Sequence, residues 1–159
     1  MFDIRLATEE DAATIARHRR LMFAVSFEQK EEEREAVERA FTEWVRPKLR
    51  DGSYVGWLAE EADKVIAGAG LYILDFPPHW MDVKAERGYL LNFYTEPEAR
   101  GRGIAKTLLR MGVEECKRRE IRVVVLHASK FGRPVYERFG FKDNNEMILR
   151  TMDEAQGWQ

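Results

Sequence analysis

Arg100-Gly101-Arg102-Gly103-Ile104-Ala105 is the stretch on which the reading of this chain turns. It follows the strand-type run Tyr89-Leu90-Leu91-Asn92-Phe93-Tyr94-Thr95 and opens a helical pattern from about Arg102 to Arg119. A glycine-rich turn feeding a helix aims several backbone N–H groups at one point. It adds the positive end of the helix dipole, and together these hold phosphate oxygens. The turn is neither the Gly-x-Gly-x-x-Gly of dinucleotide sites nor the Gly-x-x-x-x-Gly-Lys-Ser/Thr of nucleotide-hydrolysing loops. By itself, a short basic Arg-Gly turn is also compatible with contact to RNA.

A second segment narrows the choice. The apolar run Val123 to Leu126 leads into His127-Ala128-Ser129-Lys130-Phe131-Gly132-Arg133-Pro134-Val135-Tyr136-Glu137-Arg138-Phe139-Gly140-Phe141. The two segments, in this order, resemble the GNAT acetyltransferase family. Arg100, Gly103 and Ala105 match its Arg/Gln-x-x-Gly-x-Gly/Ala loop, and Tyr136, Gly140 and Phe141 match its later Tyr-x-x-x-Gly-Phe.

The resemblance implies acetyl coenzyme A as cosubstrate. Its pyrophosphate would rest on the amides of Gly101, Arg102, Gly103, Ile104 and Ala105, beside the Arg100 and Arg102 guanidinium groups. Its pantetheine arm would lie as a false strand along the main chain of Phe93, Tyr94 and Thr95, in a gap facing 126–129. Ser129 would add a polar contact, or simply an N-cap. Tyr136 would donate a proton to the departing sulfur; the bland alternative is a core tyrosine.

Composition bounds the rest. The 159 residues fit one domain spanning 1–159, with 45% hydrophobic and 34% charged residues and no long apolar run. This predicts a soluble protein without a membrane partner. Met1 to Leu6 lacks a secretory h-region, so a cytoplasmic location is expected. A net charge of −2 and a pI near 6.0 argue against nucleic-acid binding. The basic run Lys117 to Arg122 then reads as a solvated helix end, with adenosine-phosphate contact as a second reading. The one cysteine, Cys116, falls on an apolar helix face, and no Cys/His cluster has zinc spacing.

Along the chain, Phe2, Ile4 and Leu6 alternate as a strand, and Thr8 with Asp11 starts a helix. A second helix spans about Glu28 to Leu49 and stops at Arg50-Asp51-Gly52-Ser53. Tyr54–Glu60 and Val65–Leu74 form a hairpin, in which Gly68 and Gly70 mark either a bulge or the close approach of another backbone or a ligand. A loop from Asp75 to Glu86 precedes the strand Arg87–Thr95 and the helix Arg102–Arg119. Then come a strand Arg122–Ala128, a short helix Pro134–Phe139 and a final strand Phe141–Arg150. The order β-α-α-β-β-β-α-β-α-β is α/β, with a mostly antiparallel sheet and one parallel crossover, and it is similar to the GNAT fold.

The predicted activity is direct N-acetylation of a primary amine on a small molecule or peptide, through a tetrahedral intermediate. A lysine-like amine must first lose a proton, at a cost of about 4–5 kcal/mol at pH 7. Arg87 to Thr95 offers no carboxylate for this, so the base stays open. Glu96 reads as a cap of the phosphate turn, and Asp82 and Glu86 as solvated. Asn92 can at most orient a water, and His79 and His127 have bland alternatives. Phe76, His79 and Trp80 are expected to help wall the acceptor. The missing carboxylate keeps alive a non-catalytic acyl coenzyme A sensor or partner-binding module. A sheet edge or the tail from Thr151 to Gln159 would serve to pair subunits in a homodimer.

Overall fold

The computed structural model describes residues 1–151. Five strands form one sheet in sequence order: β1 (Asp3–Leu6), β2 (Tyr54–Glu61), β3 (Lys64–Asp75), β4 (Glu86–Thr95) and β5 (Val124–Leu126). Every pairing is antiparallel except β4 with β5. Four helices accompany them: α1 (Ala12–Ser26), α2 (Glu31–Asp51), α3 (Ile104–Arg118) and α4 (Arg133–Phe139).

Local chemistry sets the boundaries. The Asp11 carboxylate accepts the Thr8 N–H at 2.8 Å and opens α1 after a short 3-10 turn, while Arg5 clamps the same carboxylate. Gly52, at φ 78°, ends α2 in the left-handed region that L side chains avoid. Ala62 and Asp63 are both left-handed, as a two-residue hairpin that follows strand twist requires.

Alternation along the strands splits the core into two layers. On one face α3 packs Leu108, Leu109 and Cys116 against Trp57, Leu71 and Leu90. On the other, α1 and α2 bring Ile15, Phe41 and Val45 onto Tyr54, Leu58 and Leu91. Cys116 is buried, and desolvation pushes its thiol up to about 11, in keeping with a packing role. The glycine-marked strand faces a bulge whose extra residue lies on β4, and the close approach at Gly70 is by a tyrosine side chain rather than by a backbone or a ligand. The β3–β4 register shifts between Gly68 and Gly70, and a β-carbon at Gly70 would collide with the Tyr54 hydroxyl.

The expected final strand Phe141–Arg150 does not form. Phe141 packs on Tyr136, Asp143 is held by Arg133, and the Asn144 carboxamide oxygen accepts the Glu146 N–H. These local polar contacts turn the chain away from a ladder. Beyond Thr151, the tail expected to pair subunits lies outside the described residues. No helix among the described residues is long and apolar enough to cross a membrane.

Candidate active site

The site begins with a break in the sheet. β4 pairs with β5 only from Gly88 to Leu90, opposite Val124 to Leu126. From Leu91 to Thr95 that edge of β4 has no strand partner among the described residues. On its other edge, Leu91 lies opposite Gly70 and Tyr94 opposite Gly68, so Asn92 and Phe93 together face Ala69 as a bulge. Asn92 takes φ 58°, a left-handed conformation that asparagine tolerates better than most residues.

Two side chains hold the bulge in place. Asn92 is 2% exposed; its Oδ1 accepts from Arg19 Nη1 at 2.9 Å, and its Nδ2 donates to Tyr54 Oη at 2.9 Å. The bulge leaves Leu91 and Asn92 on the same α1 and α2 face, after which the ordinary alternation resumes. Phe93 joins the α3 and α4 layer, where its ring meets Tyr136 at 6.0 Å, whereas Tyr94 turns to α1, against His18.

At the end of β4 the chain makes a 3-10 turn, Pro97–Ala99, and then the glycine turn. Gly101 and Gly103 have φ 75° and 79°, and no atom lies within 4 Å of where a β-carbon would stand on either. Gly103 is also the N-cap of α3. The turn lines a cavity of about 370 Å³ with Thr95, Arg100, Ile104, Ala105 and Lys106 on one side and Val135, Arg138 and Phe139 of α4 on the other. Arg100 Nε donates to Thr95 O at 3.2 Å. Arg102 lines the cavity while its guanidinium is engaged by both carboxylate oxygens of Glu61, at 2.8 and 2.7 Å.

Tyr136 is half-buried on α4 between Phe93 and Phe141, and burial raises its pKa. Ser129 Oγ accepts the Gly132 N–H at 3.0 Å, as a cap-like acceptor at the turn into α4. His127 follows β5 on the α1 and α2 face of the sheet. Its Nδ1 lies 2.9 Å from Tyr89 Oη and its Nε2 lies 3.4 Å from Glu146.

Comparison with known proteins bears on the fold that carries this geometry. The family model described as an acetyltransferase (GNAT) domain matches residues 3–143. The chain belongs to the GNAT acetyltransferase family. A GCN5-related N-acetyltransferase from Ralstonia eutropha JMP134 is 34% identical over 96% of this chain and 100% of its own, with a TM-score of 0.90. A predicted acetyltransferase from Clostridium acetobutylicum, solved with acetyl-CoA, is 34% identical over 99% of this chain and 100% of its own, with a TM-score of 0.89. A ribosomal-protein-alanine N-acetyltransferase from Brucella melitensis biovar Abortus 2308, at 21% identity, TM-score 0.66 and coverage of 94% and 99%, shares the fold. No curated protein matches.

Several sequence expectations for this GNAT domain need correction. The Asp75 to Glu86 loop lies at the end of the sheet remote from the glycine turn. Lys84 Nζ donates to Arg119 O, past the C-terminus of α3, about 22 Å along a 15-residue helix from the glycine turn. Phe76 is covered by Arg87, 3.5 Å from its ring centre, and His79 Nδ1 accepts the Met81 N–H. Asp82 is not solvated. It is 7% exposed and accepts the backbone N–H groups of Lys84 and Arg122, which hold its pKa down. Glu96 stands at the N-cap of the Pro97–Ala99 turn, where its carbonyl accepts the Ala99 N–H, but its carboxylate does no capping; it bridges Arg17 at 2.9 Å and Tyr94 Oη at 2.9 Å. The Lys117–Arg119 run pairs with Glu114 and Glu115 at the far end of α3.

Helix α1 supplies what the sequence reading missed, namely His18 and Arg19. His18 is 1% exposed, with Nε2 unpartnered, and desolvation, aided by Arg17, pushes its pKa down to about 4. A histidine depressed on folding binds more protons when unfolded. Its stabilisation is therefore complete above about pH 6.5 and drains as pH falls toward about 4. Over that window wild type should lose about 3 kcal/mol more unfolding free energy than H18Q, by urea titration at stepped pH. Parallel pH profiles for the two proteins would show that His18 does not carry the effect.

Proposed function

We propose that this domain transfers an acetyl group from acetyl coenzyme A to a primary amine, with Tyr136 as general acid. The observation that carries the reading is the continuity of three features: an N–H-rich glycine turn, an unpaired β4 edge, and a tyrosine at the inner end of both. When bound, acetyl coenzyme A would supply an activated thioester.

The chain's own residues have distinct tasks. Amides at Gly101 to Ala105 hold the diphosphate, with Arg100 beside them, because close approach is open at both glycines. The Arg102 guanidinium reaches a phosphate only by leaving Glu61, so its amide is the steadier contact. Main-chain groups of Phe93, Tyr94 and Thr95 align the pantetheine arm, since buried backbone groups require partners. The Tyr136 hydroxyl moves a proton to sulfur; its raised pKa keeps it protonated at working pH. On the opposite face His127, hydrogen-bonded to Tyr89, is placed to take the amine proton directly or through water.

The test is coenzyme A release from acetyl coenzyme A with a panel of amines, followed by mass spectrometry of the acceptor. Amine-dependent release with an acetylated product is expected. Tight binding of acetyl coenzyme A with release no faster than hydrolysis across the panel would favour the sensor reading.

A further inference from the structure

The α1 helix carries Arg17, Arg19 and Arg20, and among the described residues one of them has no acid partner. Arg17 pairs with Glu96, and Arg20 pairs with Glu31 and Glu38. Arg19 makes one hydrogen bond, to the Asn92 carboxamide, and among the described residues no carboxylate stands within ion-pair distance of it. Its charge instead faces the phenols of Tyr54 and Tyr89, and it packs 4.6 Å from the Phe23 ring centre and 5.0 Å from that of Phe41. Burial lowers its pKa, the reverse of the shift at Arg17.

A guanidinium stripped of much of its water and given no counterion is poised for an anion. The remaining N–H groups are not sealed. Arg34 Nε is buried without a partner, but no Arg19 nitrogen is in that state. Asn92 fixes where an anion would sit. Its side chain is bonded to Arg19, while its main chain forms the bulge at the mouth of the unpaired edge. A group on the Arg19 fork would therefore lie beside the residue that precedes the Phe93 to Thr95 backbone proposed to align the pantetheine arm.

We propose that Arg19 is the anion-binding residue of the acceptor pocket, and that the acceptor is a small amine bearing a carboxylate or phosphate near its amino group. The proposal rests on the transferase reading above. The aromatic rings of Phe23, Phe41 and Tyr89 supply apolar walls on the same face. Arg19 also buttresses Asn92, so a purely structural role has to be separated from recognition.

Matched pairs that differ only in the anion make that separation. Phenylalanine against phenethylamine tests a carboxylate, and O-phosphoethanolamine against ethanolamine tests a phosphate. Each is titrated calorimetrically into coenzyme A-saturated wild type, R19K and R19Q. In wild type the anionic member of at least one pair should bind at least about tenfold more tightly, which is about 1.4 kcal/mol. R19Q should erase that preference, and R19K, with charge but no fork, should keep only part of it. Coenzyme A affinity measured in all three reads how far the Asn92 bulge is disturbed, and the loss of anion preference in R19Q should exceed any loss of coenzyme A affinity.

Equal affinity within both pairs, no binding by any member, or a preference retained in R19Q would each overturn the proposal. Turnover of the neutral amines reads the transferase assignment separately. Wild type that acetylates phenethylamine or ethanolamine without preferring the anionic member of either pair leaves the transferase reading standing and removes this one.

Discussion

Tyr136→Phe should lower kcat by roughly a hundred- to ten-thousand-fold while the Kd for coenzyme A stays near wild type. The argument is local. The ring is held by Phe93, Phe141 and the close approach of Gly132, and all these contacts survive in phenylalanine. Only the hydroxyl goes, and no described side chain or backbone group hydrogen-bonds it. Stability should therefore move little, which separates the acid from a core tyrosine. Single-turnover rates with calorimetric coenzyme A affinities check this, and an unaltered rate would return Tyr136 to packing alone.

Gly103→Val should weaken acetyl coenzyme A binding by about a hundredfold or more, equivalent to about 3 kcal/mol. Two effects combine. A β-branched residue at φ 79° is strained by about 1–2 kcal/mol, and relief would rotate the amides that open α3. The new side chain would also project into space now open within 4 Å, where the diphosphate must come close. Because the protein itself leaves that space clear, the variant should still fold, with a Tm lowered by only a few degrees. Calorimetry beside a thermal melt distinguishes the two effects. Undiminished affinity would move the diphosphate away from this turn.

Much of this was legible in the sequence, because the signals were short-range. Thr8 with Asp11, Gly52 after α2, and Gly101 and Gly103 before α3 each announce a local geometry that tertiary packing has no reason to overrule. The parallel β4–β5 crossover followed from the order of elements. What failed depended on distant partners. Asp82 looked solvated because the backbone N–H it accepts lies 40 positions away, and Glu96 looked like a cap because Arg17 lies 79 positions away. Phe141 to Arg150 read as a strand by its apolar residues, although Asp143 and Asn144 find partners close at hand.

Arg19 was missed for a different reason. Within the run Arg17-His18-Arg19-Arg20 nothing in the sequence marks which cation lacks a counterion. One weak signal was available. Asn92 is the only amide in the strand and interrupts an apolar and aromatic run from Tyr89 to Tyr94, and a lone buried amide demands partners.

The left-handed residue in β4 ties together stretches that evolution would otherwise edit separately. Position 92 is propped by a guanidinium from the first helix and a phenol from the second strand, and that phenol fits only because position 70 has no side chain. Exchanging any one of the four strands the others in an arrangement built for it. Positions 19, 54, 70 and 92 should therefore be inherited as a block among descendants that keep this bend, and drift together in those that abandon it.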